Sequence, residues 1–410
     1  MEALNAAAEQ YVRLVLAMGQ HDVDYVDAYY GPAMWKAEVE AARKPLDAID
    51  RDASHVLLAL ASSVPSSQDE ELVRLRHRYL TRQLEALRAR AVMLGGTRLT
   101  FDEESKALYD AVAPRVDSAV FEEAIDALGA RLSGSGPVLE RYDAYRTQFV
   151  IPRDRLDATF TAAIEAGRAR TLEHIPLPGD ERFTVEYVTN KSWSGYNWYQ
   201  GGYRSLIQVN TDLPIYVDRA IDLACHEGYP GHHVYNALLE KHLVRDRGWA
   251  EFSVYPLFSP QSLIAEGTAN YGIEVAFPRA ERIELERRVV FPAAGLEPQR
   301  VEEYEDVLAL VDRLSYAGNE AARRYIDGEI DAETAAGWLE RYAMYSPARA
   351  RQRVKFVEQY RSYVINYNLG KDMVQHYIEA QGGTASDARR RWQVFAELLS
   401  SPRLPSSLAA

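Results

Sequence analysis

The chain has 410 residues, 47% of them hydrophobic and 26% charged, which is the composition of a folded globular protein rather than a disordered or fibrous one. A length beyond the ~250–300 residues at which one core stops growing predicts two lobes. The formal net charge of −13 excludes nucleic acid as a general partner, because phosphate binding needs a basic face.

Cys225 is the one cysteine, so no internal disulfide can form and a reducing compartment is expected. Met1 to Gln20 carries Glu2, Glu9 and Arg13 among its apolar residues and lacks the basic start and unbroken apolar run of a secretory signal. No apolar run approaches a membrane span. The expectation is a cytoplasmic protein with no membrane partner.

From the start to about Arg170 the pattern is helical. Leu4, Ala7, Tyr11, Leu14 and Val15 recur at helical spacing. An Asp- and Tyr-rich loop, His21 to Pro32, follows. Amphipathic segments then run over Leu46–Leu60, Glu70–Arg90, Phe101–Ala111, Phe121–Leu132 and Arg153–Ala169. Pro176-Leu177-Pro178-Gly179 breaks the pattern. This predicts a helical lobe over 1–178, which shapes a cleft but holds no cluster of metal-ligand residues, and a catalytic lobe over 179–410.

In the second lobe Phe183–Val188 and Ser205–Val209 read as strands. Between them Asn190–Tyr203 is rich in Trp, Tyr and Gly. The expected fold is mainly α, with a small antiparallel sheet, a long aromatic connection that either caps it or walls a substrate site, and then helices to the end. Asn210-Thr211-Asp212-Leu213-Pro214 signals a helix start.

The helix that follows carries His226-Glu227-Gly228-Tyr229-Pro230-Gly231-His232-His233. The common zinc-hydrolase motif places two His at i and i+4 on one helical face, with Glu at i+1 as general base. Here position i+4 is Pro230, which cannot ligate. On a regular helix His232 points away from His226, and His233 lies two turns off, roughly 10 Å along the axis. Zn–N bonds are only ~2.0–2.1 Å. Pro230 disfavours a regular helix and Gly231 tolerates unusual backbone angles. A bulge that loops out two residues returns His232 to the face of His226. Glu266, on the next helix in Ala265-Glu266-Gly267-Thr268-Ala269, is the best third ligand, with a small neighbour that lets two helices approach. Asp222, one turn before His226, either orients a ligand imidazole or, as the more ordinary reading, is simply a polar residue of its helix.

His-Glu-Gly-Tyr-Pro-Gly-His followed by Glu-Gly-Thr-Ala resembles the bacterial family called domain of unknown function 885, which is similar to the gluzincin zinc metallopeptidases. Asp24–Pro32 near the start and Tyr367-Asn368-Leu369-Gly370 near the end carry the resemblance across most of the chain. It implies a helical, two-lobed metallopeptidase-like architecture, Zn2+ held by His226, His232 and Glu266, and Glu227 as catalytic base. His233 becomes a neighbour that donates a hydrogen bond to substrate. Tyr367, or failing it Tyr363, is expected to donate to the oxyanion of the tetrahedral intermediate. As in gluzincins, the strand Ser205–Val209 is expected to pair with an extended substrate backbone.

The function so implied is zinc-dependent hydrolysis of peptide bonds in short peptides. Arg349, Arg351, Arg353 and Arg361 lie among the C-terminal tyrosines. One of them clamping a substrate carboxylate makes the enzyme a carboxypeptidase or dipeptidase; otherwise they are a solvated basic face. Two rival readings are a metal-dependent hydrolase of a non-peptide amide and a non-enzymatic helical protein with a structural metal. The single cysteine counts against the last, since structural zinc sites are usually closed and Cys-rich.

Overall fold

The computed structural model describes residues 2–408, and most of them are helical. Helix Glu2–Met18 buries the stripe expected of it, Leu4, Ala7, Tyr11, Leu14 and Val15. It packs with Leu46–Ala61 and Glu71–Leu94 around a core that also takes in Phe356, Tyr360 and Ile365 from near the other end of the chain. A second core joins Phe160 and Ala163 to Ile221, Val234, Ile264, Val374 and Phe395. A third joins Phe121 and Leu128 to Leu339 and Val354. Each core therefore draws on residues from both sides of position 178, and the two stretches expected as lobes share their apolar interior. A fully buried ion pair, Arg76 to Glu251 at 2.6 Å, ties the early helices to the middle of the chain. Among the described residues no helix is long and apolar enough to cross a membrane.

Among the described residues five strands form two small sheets. β1 (Val26–Tyr29) pairs antiparallel with β5 (Val254–Pro256), so part of the stretch read as a loop is a strand. β2 (Arg182–Val188), β3 (Gly195–Gly201) and β4 (Arg204–Asn210) lie in the order β2-β4-β3. The two expected strands are β2 and β4. They pair with each other in parallel, and β3 is the antiparallel partner of β4. β3 falls inside the aromatic stretch expected to be a connection. Gly202 and Tyr203, at φ 63° and 61°, make the tight turn between β3 and β4. That local hairpin fills one side of β4 and leaves β2 only the other, where the strand directions coincide.

This order corrects the expectation that Ser205–Val209 offers a free edge to substrate. β4 is the middle strand and both its sides are occupied. The strand at the end of the sheet that borders the cavity is β3.

Candidate metal centre

The motif helix begins at Asp218, later than the Asn210–Pro214 signal, whose Asp212 instead accepts from the backbone N–H of Asn190. After Leu223 it widens into a π-helical turn, Ala224–Gly228, and helix His232–Leu239 follows. In a regular helix each N–H reaches four residues back. Tyr229 N–H donates to Ala224, five back, at 3.0 Å, and Gly231 N–H donates to Cys225, six back, at 2.8 Å. The chain has thus let out one residue and then another. The four-residue pattern resumes where Tyr235 N–H meets Gly231 O at 2.9 Å. Only glycine fits at 231, because a Cβ there would overlap the carbonyls of His226 and Cys225.

Six residues on a regular helix rotate a side chain about 240° out of phase. With two let out, His232 returns to the face of His226, and their Nε2 atoms stand 3.2 Å apart. Glu266, on helix Pro260–Ala276, completes a triad. Its Oε2 lies 3.3 Å from His226 Nε2 and its Oε1 lies 3.7 Å from His232 Nε2. Bonds of about 2.0–2.2 Å in a tetrahedral centre need ligand atoms roughly 3.3–3.6 Å apart. The three side chains fit a zinc-sized cation, and they are the cluster able to hold a metal among the described residues.

Hydrogen bonding supports that fit. Asn270 Nδ2 donates to the carbonyl of Tyr367 at 3.1 Å, which fixes its Oδ1 toward His226 Nδ1, also at 3.1 Å. Nδ1 therefore carries the proton, and the Nε2 lone pair faces the triad. Glu266 Oε2 is buried with no hydrogen-bond donor. Tyr363 donates to Glu266 Oε1 at 2.8 Å.

Glu227 is buried beside the triad, at 4% exposure. Loss of solvent pushes its carboxyl up to about 7, with the Glu266 and Asp27 charges adding and His232 and Arg219 opposing. Gly195 at the start of β3 makes its room, since a Cβ there would come within 2.9 Å of Glu227 Oε1. Asn197 Nδ2 donates to the Glu227 carbonyl at 2.7 Å, taking up an acceptor next to the broken helix. Asp27, from β1, accepts from the Tyr196 hydroxyl at the same wall, and burial pushes its carboxyl up to about 6.

Tyr363 and Tyr367 reach the triad because two helices touch backbone to backbone. A Cβ at Gly267, the small neighbour of Glu266, would collide with the carbonyl of Gly370 on helix Ile365–Ala380. Tyr363 is buried and spent on Glu266. The Tyr367 hydroxyl bonds to no described residue, and the side chain lines the cavity beside Glu227 and Glu266. The cavity measures about 980 Å³.

The expectation for His233 is corrected, and the structure places Asp222 and the four arginines as follows. His233 is fully buried behind the site, with Ser205 Oγ 2.9 Å from Nδ1 and Glu181 Oε2 2.9 Å from Nε2. Both ring nitrogens are used, and it cannot donate to substrate. Glu181 also accepts from the Tyr229 hydroxyl at 2.5 Å, so His233 anchors the let-out turn rather than facing the cavity. Asp222 pairs with Arg282 at 3.2 Å and with Arg219 at 3.3 Å, and Asn270 is the residue that orients His226. Of the four arginines, Arg361 is taken by Glu104 at 2.6 Å, whereas Arg351 is exposed and off the cavity wall. Arg349 and Arg353 do line the cavity.

Two residues at the site, Asn270 and Asp27, were not singled out from the sequence. Asn270 lies four residues after Glu266, on the same helical face, which is a legible signal. Asp27 lies inside one of the stretches that carry the family resemblance.

No protein-family model matches the chain, and no curated protein matches it. Solved structures do. A protein of Colwellia psychrerythraea described as a lipoprotein matches with a TM-score of 0.54 at 14% identity, over 91% of this chain and 70% of that one. The M32 carboxypeptidase of Deinococcus radiodurans R1 matches with a TM-score of 0.51 at 13% identity, over 99% of this chain and 93% of that one. At these identities the shared property is the fold, and the chain is similar in its helical architecture to an M32 carboxypeptidase.

Proposed function

We propose that the chain is a zinc-dependent peptidase that hydrolyses amide bonds of short peptides. The observation that carries this reading is the convergence of His226, His232 and Glu266 at metal-ligand spacing with a buried carboxylate, Glu227, beside them in a large cavity. That a carboxypeptidase has this fold supports a peptide as substrate.

A divalent cation held by the triad supplies Lewis acidity, which lowers the pKa of water to about 7 in favourable sites. Asn270 and Tyr363 hold His226 and Glu266 in the orientation that such binding needs. Glu227 takes a proton from the attacking water at its carboxylate and delivers it to the departing amine nitrogen. Its raised pKa suits a group that must accept and then release a proton near neutrality. The Tyr367 hydroxyl donates to the carbonyl oxygen as negative charge develops there. β3, at the end of its sheet and over Glu227, is the strand placed to pair with an extended peptide.

The test is metal analysis with a panel of blocked and free short peptides. Zinc should bind at one per chain, and chelation should abolish hydrolysis while circular dichroism stays helical. Glu227→Gln should keep the metal and lose about 10²–10⁴-fold in turnover. Near-wild-type turnover by that variant would overturn the reading.

A further inference from the structure

Arg349 and Arg353 lie four apart near the start of helix Pro347–Tyr360, so they share one face, and both line the cavity. Arg146, at the end of helix Val138–Arg146, reaches the same wall from another part of the fold. Among the described residues no carboxylate lies within ion-pair distance of any of the three, in a chain of net charge −13 where most other arginines are paired. Arg146 is only 8% exposed, and its Nε is buried without an acceptor. Asp218 also lines the cavity and its charge favours the Arg146 guanidinium from beyond ion-pair distance, while its Oδ1 accepts from the Tyr304 hydroxyl at 2.5 Å.

Aromatic faces hold the guanidinium groups in place. Arg146 lies 3.6 Å over the Tyr216 ring, Arg349 lies 4.5 Å over Tyr345, and Arg353 lies 4.6 Å over Phe356 and 5.5 Å over Tyr367. Burial would raise the Tyr345 hydroxyl, but Arg349, Arg353 and Arg146 together bring it below its ordinary value. A positive field converges at that point. A buried guanidinium with no carboxylate in contact and an Nε without an acceptor has hydrogen-bonding capacity left for an incoming anion.

We propose that Arg146, Arg349, Arg353 and Tyr345 form an anion subsite that takes a carboxylate of the substrate. The proposal rests on the peptidase reading for its substrate. Tyr367 lines the cavity near Glu227 and Glu266 and its ring lies 5.5 Å from the Arg353 guanidinium, so a peptide whose scissile amide lies over Glu227 has the subsite on its path along the cavity. Guanidinium forks match carboxylates in planar, two-bond geometry, which neutral groups cannot copy. The carboxylate belongs either to the C-terminus or to an acidic side chain.

The experiment is calorimetric binding of three acetylated tripeptides to the metal-free full chain, where no hydrolysis intervenes. One is neutral with a free C-terminus, one is neutral and C-terminally amidated, and one is amidated with a glutamate side chain. At least one carboxylate-bearing peptide should bind ten-fold or more tighter than the neutral amide. Preference for the first assigns the C-terminus, and preference for the third assigns a side chain. In R349Q/R353Q the advantage should fall below two-fold, with circular dichroism unchanged. Equal binding of all three peptides by the wild-type chain overturns the subsite, whatever the variant does. An undiminished advantage in the folded variant overturns the residue assignment. A carboxylate preference without any hydrolysis by the zinc-loaded chain would leave the subsite standing and fail the peptidase reading instead.

Discussion

The Nε2 atoms of His226 and His232 stand 3.2 Å apart although six positions separate the residues. Two residues let out of the helix account for it, and the turn closes only because Gly231 N–H can reach Cys225 O. The broken helix is what creates the pair of ligands, so the turn should be the most sensitive part of the motif.

Gly231→Ala places a methyl against two carbonyls that cannot both retreat. It should destabilise the fold by about 3 kcal/mol or more and leave the purified protein short of zinc. Urea denaturation and elemental analysis measure the two effects. Full metal content with normal stability would show that the turn relaxes freely.

Asn270→Ala removes the acceptor that sets the His226 tautomer. Zinc affinity should fall by about 10–100-fold, read by chelator competition. Turnover at saturating zinc should change far less, because Asn270 does not touch the reacting atoms.

Tyr363 and Tyr367 should separate cleanly. Tyr363→Phe frees Glu266 Oε1 from its donor and should weaken zinc binding. Tyr367→Phe should leave zinc binding intact and lower kcat by about 10²–10³-fold, the cost of one lost oxyanion donor. Steady-state kinetics beside metal titration of both variants distinguishes these roles. The opposite pattern would exchange them.

Gly370→Ala presses a methyl onto the Leu263 carbonyl, 2.8 Å away, and the Gly267 Cα, 3.1 Å away. The crossing should open at a stability loss of about 1–3 kcal/mol. The tyrosines move with their helix, so kcat should drop as well. Denaturation midpoints and kinetics on the same preparation check both.

Glu286 is fully buried and shares Arg282 with Asp222 and Glu305, at 3.2, 3.2 and 3.5 Å. Loss of solvent pushes its carboxyl from 4.5 up to about 8. Below pH 4.5 the residue is protonated whether folded or not. Between there and about pH 8 the unfolded chain releases a proton that the folded chain keeps, so stability falls as pH rises and then levels off. Glu286→Gln mimics the protonated form. Its Tm should gain steadily on the wild type from pH 5 to pH 8, measured by calorimetry across that range. A constant difference would place the titration elsewhere.

Local chemistry in the sequence determined much of this protein. Apolar periodicity marked helix Glu2–Met18 and its buried face, and alternation marked β2 and β4, because these depend on near neighbours along the chain. The Pro230-Gly231 pair between histidines marked a helix that had to break, since a pyrrolidine ring is poorly tolerated inside one. Glu266 could be singled out by its small neighbour.

The packing of whole elements against one another set the rest. β3 pairs with β4 through a tight turn, and that choice made β4 a middle strand and gave β3 the cavity edge. His232 and His233 are adjacent in sequence, yet successive helical residues point about 100° apart. One therefore meets Glu266 and the other Glu181. Arg146 joins Arg349 and Arg353 from some 200 residues away, a meeting that no spacing along the chain records, because it is set by how whole helices pack.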